Sequence, residues 1–359
     1  MTDSQHTFSY GRLCFLLIPL ILVAAIGVQI LKNQRELAAK AKQTSTYNTV
    51  SRLLSTADAN LHLSSDYHDQ DADLIADAPT NLTQCINPVE LNFSYIASSD
   101  GEANQETWQE LMAVLAKKLE RKVNVVSFSD TGEQLRALRN GQLHITALST
   151  GTVPTGVNAH GFVPVCTLGQ TDGDYGYTMK IIVPAESDIQ KVEDIRGRRM
   201  TFTRPRSNSG YKAALVLLMD KHDMQIERDY AWGFSYGHDN SIRRVAAQEF
   251  EAAAVASDLL DRMVARGEIG ADSIRSIYES EKFPPGAIGY AYNLMPELRD
   301  GIREVLLSFD WKDTSLEKEF GPSGATQFVA ISYKDDWGNV RRIDTALAKA
   351  RQSINLGTP

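Results

Sequence analysis

The sequence predicts an α/β protein of two lobes, because short apolar strands and amphipathic helices alternate twice along the chain. In the first series, residues 91–96 alternate in hydropathy as a strand does, and residues 107–119 carry apolar side chains at helical spacing. Residues 123–128, 132–139 and 143–148 then repeat strand, helix and strand. This order is typical of an α/β sheet that is mainly parallel.

The second lobe is predicted from a further series of strands and from the turn that ends it. Its strands, each followed by a polar turn or a helix, are residues 177–184, 200–203, 230–234, 252–256 and 273–279. The run Pro284-Pro285-Gly286 then marks a return to the first lobe, where residues 296–308 and 339–353 have helical periodicity.

The predicted organisation has four parts, which are a tail (1–12), an apolar segment (13–31), a helical and acidic linker (32–88) and a globular domain (89–359). Within the globular domain, lobe 1 takes about 89–178 and 285–359, and lobe 2 takes about 179–284. Residues 64–79 are acidic and poor in large apolar side chains, so we expect them to form a tether; His68 among the aspartates fits a solvated linker better than a metal site.

The uncharged stretch of residues 13–31 is a candidate membrane segment. As a helix it would span roughly 28 Å at 1.5 Å per residue, which is enough to cross a bilayer. Arg12 before it and Ala25-Ile26-Gly27 within it also fit a signal peptide with a weak cleavage site. Both alternatives stay open, and the sequence favours the uncleaved anchor.

Charge, cysteine content and motifs exclude several classes of function. The 359 residues carry a net charge of −8 and no Lys/Arg-rich block, which argues against a nucleic-acid partner. The cysteines, Cys14, Cys85 and Cys166, have no metal-binding spacing, and the last two fit either a disulfide or two free thiols. Because the chain has no Walker loop, no Gly-x-Ser-x-Gly and no metal cluster, we expect no catalytic residue, metal or cofactor.

Two polar turns are the candidate binding residues. After the strand at 200–203, the run Ser207-Asn208-Ser209-Gly210-Tyr211 opens a helix, and Gly237-His238-Asp239 opens another after the strand at 230–234. The first N–H groups of a helix lack partners within it and favour an anion such as phosphate. The alternatives are an ordinary N-cap at the first turn and a surface histidine beside a capping Asp239 at the second.

The stretch Arg204-Pro205-Arg206-Ser207-Asn208-Ser209-Gly210-Tyr211 resembles the Pro-x-Ser-Thr-Ser-Gly-Tyr motif of the phosphate, phosphite and phosphonate-binding proteins of ABC transporters. Further stretches resemble the same family in the same order, namely residues 135–148, 175–182, 192–198, 237–239 and 250–257. The similarity covers roughly residues 89–354. It implies the two-lobed type II periplasmic-binding-protein fold, with two strands crossing between the lobes and the ligand in the cleft.

By position, the resemblance implies that anion oxygens are held by the side chains and N–H groups of one turn, with further donors from His238 and the crossing strand. The residues so implied are Ser207, Asn208, Ser209, Gly210, Tyr211, His238, Tyr177 and Tyr175.

The chain also departs from the family pattern. Asn208 stands where the family often has Thr, and Arg204 and Arg206 stand where it has Asp or a small residue. Thr131 takes the place of a common ligand-stacking aromatic, and His144 replaces the usual Asp of the third strand. Two carboxylates, Glu251 and Asp258, are candidates to hold the amine of an aminophosphonate.

The function implied by the resemblance is capture of phosphate, phosphite or a phosphonate for an ABC transporter permease, on the periplasmic side of the inner membrane. The alternative is a membrane-tethered sensing module of the same fold, and an enzyme using Ser209 and His238 is disfavoured. One pattern opposes export, because Lys32, Arg35, Lys40 and Lys42 follow the apolar segment and only Arg12 precedes it. The resemblance outweighs that pattern in this prediction.

Overall fold

The computed structural model describes residues 23–24, 26–40, 44, 48–49, 61–96 and 101–356, with backbone alone for 101–104 and 353–356. The chain divides into two compact units, Met1–Arg52 and Leu53–Pro359. In the first unit, residues 26–40 form a helix with exposed side chains. Among the described residues, no helix has both the length and the apolar character to cross a membrane. Most of the predicted segment 13–31 lies outside these residues.

The second unit begins with alternating strands and helices, as the sequence predicts. In chain order these are β1 (Leu91–Ser94), α1 (Gly101–Leu119), β2 (Val123–Val125), α2 (Thr131–Arg139), β3 (Ile145–Leu148), α3 (Val153–His160) and β4 (Phe162–Gly169). Helix α2 shows why they form where they do: Asp130 caps it by accepting from the N–H of Glu133, and its apolar face buries Leu135 and Leu138.

The middle of the chain forms a second series of elements. These are β5 (Tyr177–Pro184), β6 (Arg199–Phe202), α4 (Ala213–Val216), β7 (Ala231–Phe234), α5 (His238–Ala246), β8 (Ala252–Ala256), α6 (Ser257–Ala265) and β9 (Ile274–Phe283). Helix α4 continues π-helical turns on both sides, Asn208–Lys212 before it and Leu217–Lys221 after it. The chain then returns through β10 (Ala287–Ala291), α7 (Pro296–Ser308), α8 (Ser315–Phe320), β11 (Gln327–Ala330), α9 (Tyr333–Asp336) and α10 (Gly338–Leu356).

Two sheets result: the first combines β1–β4 with β10 and β11, and the second takes β5–β9 from the middle of the chain. The first has the order β11-β4-β10-β3-β1-β2 and the second the order β7-β6-β8-β5-β9. The chain therefore crosses from the first sheet to the second between β4 and β5, and returns between β9 and β10.

The sheets are mixed, which corrects the prediction of mainly parallel pairing. Strands β2, β1 and β3 pair in parallel, as do β7, β6 and β8, whereas every pairing that involves β4, β5, β9, β10 or β11 is antiparallel. The parallel strands are joined by helical crossovers. Four of the antiparallel strands, β4, β5, β9 and β10, flank the two crossings, and β11 adds to the edge of the first sheet beside β4.

The acidic segment before β1 packs against the first lobe, so the prediction of a tether there is wrong. Arg139 pairs with Asp66 at 2.7 Å, and the ring of Tyr67 meets that of Tyr292 edge-on with 5.0 Å between centroids. Ala76 is buried. Individual side chains of the segment make these contacts, and its acidic composition does not reveal them.

Both described cysteines are free thiols. Cys85 is half-buried, and Cys166 is buried in β4, where burial raises the pKa of its thiol. Of the two alternatives left open by the sequence, the structure shows the free thiols.

Candidate functional site

The turn after β6 is built around Ser207. Ser207 is the N-cap of the helix that begins at Asn208, and its Oγ accepts a hydrogen bond from the N–H of Gly210 at 3.0 Å. The N–H of Gly210 is therefore already engaged, and it is not the donor to the ligand that the sequence predicts. A Cβ at Gly210 would lie 1.9 Å from Thr203 Oγ1, so the glycine is required for packing against β6 rather than for approach of a ligand.

His238 connects the second turn to the first. Its Nδ1 accepts from the backbone N–H of Ala256 at 3.1 Å, and its Nε2 lies 3.2 Å from Ser207 Oγ. Burial lowers the pKa of His238 to about 4, with the charge of Asp239 opposing and those of Arg204 and Arg262 contributing. The ring is therefore neutral at pH 7. Because its Nδ1 accepts, Nε2 carries the proton and donates to Ser207 Oγ.

Ser207 is consequently left with one unused hydrogen-bonding group. A hydroxyl offers one donor and two acceptor lone pairs, and here Gly210 and His238 fill both lone pairs. Its O–H must donate elsewhere. Ser207 lines a cavity, so that donor is directed at whatever the cavity holds.

Asn208, Ser209 and Tyr177 lie together behind Ser207. The side chains of Asn208 and Ser209 are buried, with 2% and 1% exposed, and they lie near the hydroxyl of Tyr177. That hydroxyl donates to Thr150 Oγ1 at 3.2 Å, and burial raises the pKa of Tyr177. Neither polar atom of the Asn208 amide has a hydrogen bond of good geometry within the described part of the chain, although contact with the Tyr177 hydroxyl lowers the pKa of that hydroxyl against the effect of burial. A buried amide with incomplete hydrogen bonding is unfavourable, so it is expected to bind a ligand or a water molecule.

The structure separates Tyr211 and Tyr175 from this group. Tyr211 is fully buried and packs edge-on against Phe202 and Phe234, with 5.3 Å between ring centroids in each case. Tyr175 is half-buried beside α9, and burial together with the Asp336 carboxylate raises its pKa. Neither residue lines the cavity described next. Of the eight predicted residues, Ser207 and His238 line it, whereas Asn208, Ser209, Gly210, Tyr211, Tyr177 and Tyr175 do not.

The cavity lies between the two lobes and has a volume of about 430 Å³. Lobe 2 contributes Ser207 and His238, together with positively charged and apolar side chains from the two turns and α6. The lining residues are Tyr95, Ile96, Thr107, Trp108, Thr131, Ser149, Thr152, Arg204, Arg206, Ser207, Gly237, His238, Leu259, Arg262, Glu319 and Phe320.

Several lining residues were not predicted from the sequence. Ser149 and Thr152 follow β3, and the position of a polar turn at the carboxyl end of a parallel strand is a signal that would have found them. Tyr95 follows β1 in the same way. Arg262 and Phe320 lie on helices, where no sequence signal distinguishes a side chain that faces the cleft from one that faces solvent.

The remaining candidate residues do not all line the cavity. Thr131 lines the cavity, as its position in the family pattern implies. His144 does not: it is buried, and its Nδ1 accepts from the N–H of Asn92, so it joins parts of the first sheet. Glu251 is exposed and binds Arg198 and the N–H of Arg199, outside the cavity.

A buried lysine holds the first turn against the rest of the molecule. Lys212 is fully buried, and its Nζ donates to Gly151 O at 2.7 Å and to Asp344 Oδ1 at 2.8 Å. A Cβ at Gly151 would lie 2.3 Å from Arg206 O, so the backbones of the two lobes touch here. The turn that carries Ser207 is thereby fixed to β3 and to α10.

One acidic group in the described part of the chain has the spacing of metal ligands, and it is remote from the cavity. Asp69, Asp71 and Asp73 bring one carboxylate oxygen each within 4.8 Å of the others. None of them lines the cavity that contains Ser207. Exposed acidic groups of this kind are common without a metal.

Two sheets covered by helices, joined by two chain crossings with a cavity between them, define the class of two-lobed binding proteins. A sequence profile of the family described as ABC transporter, phosphonate, periplasmic substrate-binding protein matches residues 93–337. This match takes in more than half of the chain. The chain therefore belongs to the family of periplasmic substrate-binding proteins of ABC phosphonate transporters.

Individual relatives agree with this assignment. The phosphonates-binding periplasmic protein of Escherichia coli (strain K12) is 23% identical over 224 residues, which cover 61% of this chain and 66% of that protein. The phosphate-import protein PhnD of Mycolicibacterium smegmatis is 21% identical over 277 residues, covering 74% of this chain and 85% of that protein. The chain thus spans slightly less than two thirds of the first relative and most of the second.

A solved structure has the same fold. It is a binding protein component of an ABC phosphonate transporter from Pseudomonas aeruginosa, with a TM-score of 0.65 at 15% identity, covering 76% of this chain and 91% of that one. The predicted type II periplasmic-binding-protein fold is therefore confirmed. Membership of a family of binding proteins also supports the prediction that the chain is not an enzyme, and implies a periplasmic location.

Proposed function

We propose that this protein captures phosphate, phosphite or a phosphonate in the cleft between its lobes and delivers it to an ABC transporter permease. The observation that carries the proposal is the geometry of Ser207, whose two lone pairs are filled by Gly210 and His238. Its O–H can only donate, which selects an acceptor such as an anion oxygen.

The surroundings of Ser207 favour negative charge. Arg204, Arg206 and Arg262 line the same cavity, and helix α5 begins at its edge with no side-chain cap on its first N–H groups. A hydrogen bond to a charged ligand contributes about 1.5–3 kcal/mol. Three or four of them, reduced by the free energy of lobe closure and desolvation, are sufficient for micromolar binding.

The two relatives named above are described as binding phosphonates and importing phosphate. They support this ligand class and leave the individual oxyanion open. We propose that lobe closure around the anion, without covalent chemistry, produces the form that the permease recognises.

The test is calorimetric titration of the full chain with phosphate, phosphite, methylphosphonate and 2-aminoethylphosphonate, with chloride as the control anion. We expect saturable binding of at least one of the four at micromolar concentration or below. Binding of none of them would contradict the oxyanion proposal and leave the sensing module, with a different ligand, as the alternative. Co-purification with a permease rather than a receptor separates transport from sensing.

We also propose that residues 13–31 anchor the protein in the inner membrane, because that stretch of 19 residues carries no charge. An anchored protein stays in the membrane pellet after osmotic shock and alkaline extraction. Release of the protein with the soluble periplasmic fraction would contradict the anchor and favour a cleaved signal peptide.

A further inference from the structure

Arg262 is a charged residue of the cleft that neither the family motif nor the sequence analysis identifies. It lies on α6, lines the cavity, and places its guanidinium over the ring of Phe320, 5.5 Å from the centroid. Its Nε is buried without a hydrogen-bond partner, and no ion pair joins it to a residue that the structure describes. One turn later, Arg266 pairs with Glu319 at 2.9 Å. The same helix thus carries one satisfied and one unsatisfied arginine.

The charge of Arg262 acts on the groups around the proposed oxyanion position. After burial, which is the largest cause, Arg204 and Arg262 contribute to the low pKa of His238, against Asp239. Burial also raises the pKa of Tyr95 to about 12, and Arg262 opposes that shift. Arg262 lines the same cavity as Ser207 and His238, so its charge acts on a ligand held there.

The nearby carboxylates do not neutralise this charge. Glu319 is engaged by Arg266. Asp258, one turn before Arg262 on α6, forms no ion pair with it within 4 Å among the described residues, and burial raises the pKa of its carboxyl while Arg262 opposes that shift. Because Arg204 and Arg206 line the cavity as well, its positive charge exceeds its negative charge.

The cavity is also larger than a bare oxyanion requires. Its volume of about 430 Å³ lies in the range of pockets that accept organic ligands. Beyond Ser207, its wall is formed by Tyr95, Ile96, Leu259 and Phe320, which are aromatic or aliphatic. This wall suits the carbon chain of a substituent, and Arg262 lies against one of its aromatic rings, Phe320.

Resting on the proposed function, we infer that the ligand is an organic phosphonate or phosphate monoester whose substituent ends in a second anionic group, and that Arg262 binds that group. A guanidinium binds a carboxylate through two parallel N–H···O bonds, which gives orientation as well as affinity. Arg262 is then the residue that determines specificity between anionic and cationic substituents, and Ser207 holds the phosphonate end.

The test compares ligands of nearly equal length and opposite charge on the full chain. Titrations use methylphosphonate, 3-phosphonopropionate, 2-aminoethylphosphonate and phosphoglycolate, which is the phosphate-ester counterpart of the second compound. We expect the two carboxylates to bind at least about tenfold more tightly than the other two, as one charge-assisted pair allows. The ratio between 3-phosphonopropionate and phosphoglycolate tells whether the natural ligand is a phosphonate or an ester.

Two arginine variants assign the effect. Arg262→Gln should remove the tenfold preference for carboxylates, and it should weaken methylphosphonate binding less, because that ligand loses only a neighbouring positive charge of the cavity. Arg244→Gln is the matched control and should leave every affinity unchanged, because Arg244 also lies over an aromatic ring, 5.3 Å from the centroid of Phe250, and does not line the cavity. Arg262→Lys keeps the charge without the bidentate geometry and should retain part of the preference, which guards against a variant that fails to fold.

Two other outcomes would contradict the role of Arg262 alone or the oxyanion function together with it. If methylphosphonate binds but the carboxylates bind no more tightly, or 2-aminoethylphosphonate binds best, the role of Arg262 is overturned while the oxyanion function stands. If neither these compounds nor phosphate or phosphite binds, the oxyanion function fails and this inference fails with it.

Discussion

The two turns on the lobe 2 side of the cleft look alike in sequence, but their helices begin in different ways. The helix after the first turn is capped by Ser207, whose hydroxyl accepts from the N–H of Gly210. Helix α5, after the second turn, begins at Gly237 without a side-chain cap. Its first side chain, His238, turns away from its own helix to the N–H of Ala256 and to Ser207.

The difference shows that a polar turn before a helix does not by itself identify the residue that binds. In the first turn the side chain satisfies its own helix and retains one O–H for a ligand. In the second turn, the His238 side chain leaves its own helix uncapped and orients the Ser207 hydroxyl of the first turn. We therefore regard Ser207 as the ligand-binding residue and His238 as the residue that positions it.

The largest effect is expected at Lys212, because only the first turn is held by a buried ion pair. Lys212→Met removes the buried ion pair with Asp344, a change that typically lowers the free energy of unfolding by about 3–5 kcal/mol. Urea denaturation measures this change. The matched control is Lys118→Met in the exposed pair with Glu304, where the expected loss is below about 1 kcal/mol.

A second variant separates the ion pair from the volume of the side chain. Asp344→Asn in the Lys212→Met background neutralises the carboxylate that has lost its buried lysine, and it should recover part of the lost stability. Equal losses at Lys212 and Lys118 would show that the buried pair is not what fixes the first turn.

The lowered pKa of His238, in the second turn, predicts that the free energy of unfolding depends on pH. Its pKa in the folded protein is about 4, below the ordinary value of 6.5, so the unfolded chain binds the proton more strongly between these values. The stabilisation is complete above pH 6.5 and decreases as the pH falls towards 4. Over this range the expected loss in the free energy of unfolding is about 3 kcal/mol, at 1.36 kcal/mol per pKa unit.

Comparison with a variant that does not titrate isolates this contribution. His238→Gln retains a donor that reaches Ser207, and its unfolding free energy should change less between pH 7 and pH 4 than that of the wild type. Denaturation curves at four or five pH values measure the difference, in which the contributions of other groups cancel. Parallel curves for the two proteins would mean that the ring is not held neutral.

Ser207 both caps its own helix and offers a donor to the ligand, so a Ser207 variant should lose both stability and ligand affinity. Ser207→Ala removes the donor to the ligand, which corresponds to about 1.5–3 kcal/mol, or roughly 10- to 150-fold in affinity. It also removes the N-cap, which lowers the free energy of unfolding by about 1 kcal/mol. The sequence alone predicts little change in stability, because it does not show that the hydroxyl accepts from Gly210.

A second N-cap serine provides the control for this variant. Ser332 caps α9 by accepting from the N–H of Asp335 and does not line the cavity. Ser332→Ala should therefore lower stability to a similar extent and leave anion affinity unchanged in the calorimetric titration. If both variants lose affinity equally, the loss reflects global loosening rather than a lost contact.

The sequence predicted those elements whose residues have strong intrinsic preferences. Strand β8, an unbroken apolar run, and strand β5 have the predicted bounds, as does helix α7 with Pro296 at its start. Strands β10 and β11 were missed. They are short, and they exist because neighbouring strands complete their hydrogen bonding, a cause that no local pattern contains.

The site residues that the sequence predicted are likewise those with a local sequence signature. The motif located Ser207 and His238, because cap residues and the turns after strands have local signatures. It also included Tyr211, whose position after the glycine says nothing about whether the ring faces the cleft or the core. Arg262 could not be found, since its place in the cavity depends on how α6 is rotated against lobe 1.

The smallest effect is expected at Asp239, the residue that the sequence assigns to capping α5 and to orienting His238. The structure gives it neither role: α5 has no side-chain cap, and Asp239 forms an exposed ion pair with Arg243 at 2.8 Å, one turn along the helix. Asp239→Asn should lower the free energy of unfolding by less than about 0.5 kcal/mol, as for other exposed pairs of this spacing. Anion affinity should stay within about twofold, because the N–H of Ala256 orients the ring. Calorimetry on this variant beside His238→Ala, which removes the donor to Ser207, makes the comparison direct. A loss at Asp239 as large as the loss at His238 would show that the carboxylate, and not β8, positions the histidine.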